Sequence, residues 1–147
     1  MKYYLALSLF MAAGIVNASS SNVTIPAQTN IEISVVENLI IYEWQLICYQ
    51  HSESGGTHPE GKEACSEISQ LQVSLGDAIE KAEPSGICPT IVRPANLTID
   101  GIVGGKETLF TEEYTNSCYL KNTMSGAELP SLVPFNEDGT YNTGKSE

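Results

Sequence analysis

Few residues of this chain carry reactive side chains, and their spacing narrows the chemistry they could do. The two histidines, His51 and His58, lie in a stretch dense in Gly, Ser and Glu. A serine-hydrolase triad needs a His held by a carboxylate beside an activated Ser. No G-x-S-x-G elbow occurs here to supply that Ser. His51, His58, Glu60 and Glu63 are conceivable metal ligands, but no H-E-x-x-H pattern sets two histidines on one helix face. The simpler reading is a solvated loop with one structural histidine, and the sequence calls for no catalysis, no metal and no cofactor.

The four cysteines, Cys48, Cys65, Cys88 and Cys118, are separated by 17, 23 and 30 residues, with no C-x2-C pair of the zinc-ribbon kind. Their context is that of an exported chain. Lys2 precedes a largely apolar stretch from residue 3 to 16, and Val16-Asn17-Ala18 offers a small-residue cleavage site before Ser19. The stretch is shorter than the roughly 20 residues a bilayer core requires, so residues 1 to 18 are expected to be a signal peptide, leaving a secreted protein with no membrane segment. An even number of cysteines outside the cell points to two disulfides, and three pairings are open. Asn22-Val23-Thr24 and Asn96-Leu97-Thr98 are glycosylation sequons, so Asn22 and Asn96 are candidate sites. Asn17-Ala18-Ser19 also fits but is split by the cleavage.

The most informative segment is Ile87-Cys88-Pro89-Thr90-Ile91-Val92-Arg93-Pro94. Its prolines fix φ and push the residues before them toward extended conformations. Thr90, Ile91 and Val92 are β-branched and stiff at χ1. If Cys88 is disulfide-bonded, one end is tied to the body. Such a segment is extended, rigid and exposed, which suits a loop that mimics a protease substrate, because proteases bind peptides as extended strands. Composition alone favours a plainer reading, a disulfide-stapled turn leading into a strand.

The elements that must hold this segment follow from periodicity. Ile31, Ile33 and Val35 alternate with polar residues, as do Tyr42, Trp44 and Leu46, which predicts two strands with a turn near Asn38. Residues 50 to 61 read as a loop. Ile68, Leu71, Leu75, Ala78 and Ile79 recur at helical spacing and predict one amphipathic helix from Lys62 to Lys81. Gly104-Gly105 between two strand-like runs predicts a hairpin. Ile102-Val103-Gly104-Gly105 resembles the mature start of trypsin-like proteases, but only 45 residues follow Ile102, too few for that enzyme. Beyond Cys118 the chain is polar apart from residues 129 to 135. The 147 residues suffice for one domain, here 31 to 135, between a flexible segment at 19 to 30 and a flexible tail at 136 to 147. The order of elements argues an α+β fold with an antiparallel sheet and helix packed on one face. A net charge of -11 disfavours nucleic acid and anionic membranes as partners.

Several of these residues together resemble the subtilisin inhibitor-like family. Gly56-Thr57-His58-Pro59, then four residues, then Ala64-Cys65 is similar to that family's G-T-H-P-x4-A-C signature. Cys88-Pro89, the run Leu97-Thr98-Ile99-Asp100-Gly101, Gly105-Lys106 and Asn116-Ser117-Cys118 resemble its reactive loop and following hairpin. The resemblance covers about residues 31 to 126. It implies disulfides Cys48 to Cys65 and Cys88 to Cys118, a sheet of about five antiparallel strands, and commonly a homodimer. It also implies a protease-binding loop of Ile87, Cys88, Pro89, Thr90, Ile91, Val92 and Arg93, with the scissile bond between Thr90 and Ile91. Thr90 then enters the primary specificity pocket, where relatives commonly carry Met, Lys or Arg. That substitution shifts the expected target toward a broad-specificity subtilisin-like or an elastase-like serine protease. The segment from Cys48 to His58 departs from the family's shorter turn, and the tail after 127 is longer, with Leu132 to Phe135 expected in its last strand. The alternative is a non-inhibitory extracellular binding or effector module on the same fold.

Overall fold

The computed structural model describes residues 29–49 and 53–144. The expected signal peptide, most of the segment 19 to 30, Asn22 and His51 lie outside the described residues. Strand β1, Thr29–Glu37, buries Ile31, Ile33 and Val35 and turns Asn30 and Glu32 outward, the alternation expected of a half-buried strand. It pairs antiparallel with β2, Ile40–Cys48. Between them Asn38 and Leu39 both take positive φ, 52° and 66°, which gives a two-residue turn the twist a hairpin needs.

The expected loop 50 to 61 contains a short third strand, β3, Ser54–Gly56, on the outer edge of β2. Its signal is not apolar alternation but a backbone fit. Gly56 has φ 91°, and a Cβ there would strike the Gln45 carbonyl. The N–H groups of Thr57 and His58 both donate to Gln45 O, at 2.9 and 3.1 Å. Thr57 Oγ1 in turn accepts from Gln45 N at 2.9 Å. Gly56 is thus set by the close approach of the Gln45 carbonyl and Thr57 by its side-chain bond, while His58 contributes here only its backbone N–H.

The single helix expected from 62 to 81 is two. Helix α1 spans Gly61–Gln70, and α2 spans Leu75–Glu80. Leu71 leaves the helix with ψ 132°, and Ser74 starts the next one by accepting from Asp77 N at 3.2 Å. A good N-cap four and five residues before the apolar Ala78 and Ile79 thus overrides a continuous apolar period. Strands β4, Ala95–Val103, and β5, Lys106–Tyr114, form the expected hairpin, with Gly104 and Gly105 both at positive φ.

A helix not expected from the sequence, α3, spans Ser117–Gly126 and buries Leu120, Thr123 and Met124. The sheet has the order β3-β2-β1-β4-β5 with every pair antiparallel. One face carries the core: α1 packs over β2 and β3, while α2 and α3 pack over β5. Among the described residues no helix is long and apolar enough to cross a membrane.

The C-terminal part also differs from expectation. Leu132 to Phe135 is not a strand: Leu132 N–H donates to Leu129 O at 3.0 Å in a turn, and Phe135 only bridges to Tyr141. Nor is the chain from 136 to 144 a free tail. Tyr141 is buried against Tyr42, with ring centroids 4.3 Å apart, and Trp44 Nε1 donates to Asn142 O at 2.9 Å. The polar composition hides these anchors, because they are met by strand β2 nearly a hundred residues earlier. Cys48–Cys65 joins β2 to α1, and Cys88–Cys118 joins the loop before β4 to α3.

Candidate functional site

Residues 87 to 94 take no regular secondary structure and run along the surface between α2 and β4. Ile87 is 99% exposed, Val92 70% and Ile91 58%. Large apolar side chains left in water cost about 1.5 to 3 kcal/mol each relative to full burial. Three of them in one short segment therefore point to a partner rather than to folding. Pro89, Thr90 and Arg93 are also exposed, and only Cys88 is half-buried.

What holds this exposed segment in shape is mainly Asn116, a residue with 6% of its surface accessible. Its side chain is the N-cap of α3, with Oδ1 accepting from Tyr119 N at 3.2 Å. That bond fixes which end of the amide is oxygen, so Nδ2 must face the loop. There it donates to Ile91 O at 2.8 Å and to Pro89 O at 3.2 Å. These carbonyls lie on either side of Thr90. One buried amide thus spans the Thr90–Ile91 peptide and spends its full donor capacity doing so.

Further ties flank this one. Upstream, the Cys88–Cys118 disulfide fastens the loop to the first turn of α3. Asn122 Nδ2 lies 3.1 Å from Cys88 Sγ, and Ser85 N–H donates to Asn122 O at 3.3 Å. Downstream, Arg93 N–H donates to Thr115 O at 2.9 Å. The helix that the sequence did not reveal is therefore the platform on which the loop rests. Asn116 was legible only as part of a family motif. Its role as a brace depends on bonds to residues 25 and 27 positions away.

The other candidate groups are structural. His58 is buried, its Nδ1 accepts from Glu60 N at 3.2 Å, and its Nε2 lies 3.0 Å from Leu132 O. Since Nδ1 accepts, Nε2 carries the proton and donates to that carbonyl. Both ring nitrogens are engaged, and His58 is the expected structural histidine. Burial holds its pKa below the ordinary 6.5, against the opposing effect of the Leu132 carbonyl. Glu67 receives Ser131 N–H on both carboxylate oxygens, at 3.2 and 3.0 Å. Burial nevertheless raises the pKa values of Glu67 and Glu60. These groups pin the C-terminal turn to α1 and lie apart from the loop.

Fold and loop together define a class: a small α+β module, stapled by two disulfides, that displays an exposed and braced segment of chain. Comparison with known proteins makes this specific. The family model described as subtilisin inhibitor-like matches residues 31–116, and the chain belongs to that family. Subtilisin inhibitor-like protein 15 of Streptomyces bikiniensis is 30% identical over 76 residues, which are 50% of this chain and 67% of that protein. The subtilisin inhibitor of Streptomyces albogriseolus is 32% identical over 65 residues, 44% of either chain. Among solved structures, Streptomyces caespitosus sermetstatin in complex with Bacillus licheniformis subtilisin aligns with a TM-score of 0.56. That alignment covers 69% of this chain and 96% of the inhibitor at 19% identity, and it supports the fold.

Proposed function

We propose that the protein is a secreted inhibitor of subtilisin-like serine proteases that offers residues 87 to 93 as a substrate, with Thr90–Ile91 as the scissile bond. The observation that carries this is the pair of hydrogen bonds from Asn116 Nδ2 to Pro89 O and Ile91 O. They brace the peptide bond on its acyl side and on its leaving side at once. A protease binding this loop meets a peptide already held in place, so little conformational entropy is lost and affinity rises.

The same geometry opposes turnover. When the protease nucleophile attacks the Thr90 carbonyl, the new amine belongs to Ile91. That residue stays attached to the body through Asn116 and, two residues on, through the Arg93–Thr115 bond. The acyl fragment stays attached through Cys88–Cys118. The amine is thereby held at high effective concentration beside the acyl-enzyme, and religation outruns hydrolysis by water. The small, β-branched Thr90 suits a protease with a permissive primary pocket, subtilisin-like or elastase-like, better than one requiring a long basic side chain.

Replacing Thr90 tests the assignment without touching the scaffold, because its side chain is exposed. Thr90→Pro or Thr90→Asp is expected to abolish stoichiometric inhibition of subtilisin while leaving the circular dichroism spectrum unchanged. Full potency in either folded variant would remove Thr90 from the contact.

A further inference from the structure

The turn between β1 and β2 stands at the end of the sheet from which the loop departs. The last row of paired residues at that end is Ile40, Glu37, Ala95 and Tyr114. Pro94 immediately precedes Ala95, and Thr115, whose carbonyl accepts from Arg93 N–H, immediately follows Tyr114. Strand β1 is the direct neighbour of β4. Adjacent strands lie about 4.8 Å apart, so Asn38 and Leu39 project beside the chain where residues 91 to 94 run off the sheet. Ala95 and Tyr114 are buried on the helical face, the side on which α3 and Asn116 hold the loop, and Ile40 lies in their row.

Leu39 is unfavourable in its place on two independent counts. Its φ of 66° lies in the left-handed region, where a Cβ crowds the backbone and Gly or Asn is the ordinary occupant. Asn38, at φ 52°, already opens the turn, so Gly after it would close the same hairpin without that strain. The Leu39 side chain is also 98% exposed, so no packing within the chain offsets the strain. Backbone strain that the fold does not need, joined to an apolar side chain standing in water, marks a group kept for binding. Ile40 is 53% exposed and extends the apolar tip, while Ile91 and Val92 are exposed at the same end of the molecule. The turn and the leaving side of the loop thus form one continuous surface.

We propose that Leu39, with Ile40 beside it, is a second contact with the protease, seated in an apolar depression just beyond the part of the cleft that receives Ile91, Val92 and Arg93. This rests on the reading of residues 87 to 93 as the loop a protease binds. Asn38, Leu39 and Ile40 carry no charge, so the contact acts on dissociation more than on encounter. The β1–β4 ladder ties the turn to the leaving side of the scissile bond. A protease gripping Leu39 therefore keeps hold of that fragment even when the bond is cut. The turn also selects among enzymes with similar primary pockets, because one whose rim is charged at this point gains nothing from an apolar side chain.

The test compares the full native chain with Leu39→Gly, Leu39→Asp and Thr90→Asp, by urea unfolding and by inhibition of subtilisin acting on a small chromogenic peptide. Leu39→Gly removes the strain and the apolar group together. It is expected to unfold at a higher urea concentration than the native protein and yet to inhibit roughly tenfold less, with the loss in the dissociation rate. Leu39→Asp is expected to inhibit more weakly still. A residue with a purely structural role would not move stability and potency in opposite directions. Equal potency of Leu39→Gly and the native chain would overturn the proposal, and Thr90→Asp then shows what survives. Inhibition lost in Thr90→Asp alone leaves the loop standing without the turn, whereas a native chain that does not inhibit removes both. A change confined to sedimentation of the free protein would assign the turn to a contact between copies and overturn the proposal as well.

Discussion

Asn116 joins two tasks in one side chain, capping α3 and bracing the loop, so truncating it has two measurable consequences. Losing the cap costs about 1 kcal/mol of stability. Losing the two loop bonds removes roughly 1 kcal/mol each from the ordering of the segment. Asn116→Ala is therefore expected to lower the melting temperature by several degrees and to weaken inhibition by more than tenfold, while the variant is cut by subtilisin as an ordinary substrate. The separation comes from Asn116→Asp, which keeps an oxygen to accept from Tyr119 N but has no N–H to donate to the loop: it is expected to keep most of the stability and to lose potency. Equal inhibition by Asn116→Ala and the native protein would show that the brace is dispensable.

The loop and α3 behave as a single element through Cys88–Cys118, which closes a segment with a sequence separation of 30 residues. A closure of that length stabilises by roughly 3.5 kcal/mol in the chain-entropy model. Replacing both cysteines with Ser is expected to cost about that much in chemical denaturation, and to convert slow, reversible cleavage into complete hydrolysis. Retention of the intact loop after prolonged incubation with protease would contradict it. Elements with strong local patterns were legible in the sequence: the alternating Ile31, Ile33, Val35 run, the Gly104-Gly105 turn and the amphipathic stretch around Ile68. The pairing of the cysteines, by contrast, came only with the family resemblance. What stayed hidden was made by distant partners. Helix α3 is built largely from Ser, Cys, Asn and Thr, weak helix formers, and is held by its cap and by burial of Leu120 and Met124. Strand β3 has no apolar side chain and depends on a glycine fitting against Gln45. The helix break before Ser74 followed from a cap that the apolar period concealed.

Taken as one molecule, the protein contains titrating groups that pull stability in opposite directions with pH. Burial lowers the His58 pKa from 6.5. In the unfolded chain this histidine takes a proton first, so its contribution is present above pH 6.5 and is lost as pH falls through its lower folded value. Burial raises Glu60 and Glu67 instead, so they favour the fold in acid, and that contribution is lost as pH rises through their folded values. Urea midpoints are thus expected to fall as the pH drops below 6.5, with a shallower decline once the carboxyl groups begin to protonate. A midpoint that rises throughout acidification would mean His58 is not held neutral. Nitrogen chemical shifts of its ring offer a direct check, with the proton expected on Nε2. The loop lies outside this group of residues, so inhibition should follow pH only through the stability of the whole fold. The most direct measurement is to incubate the purified protein with subtilisin at equal concentrations, titrate the remaining protease activity, and sequence the ends of any nicked inhibitor. Stoichiometric loss of activity, with the small nicked fraction beginning at Ile91, is the expected result. Undiminished activity, or rapid cleavage at some other bond, would contradict the claim that this braced segment is offered to a protease as its substrate.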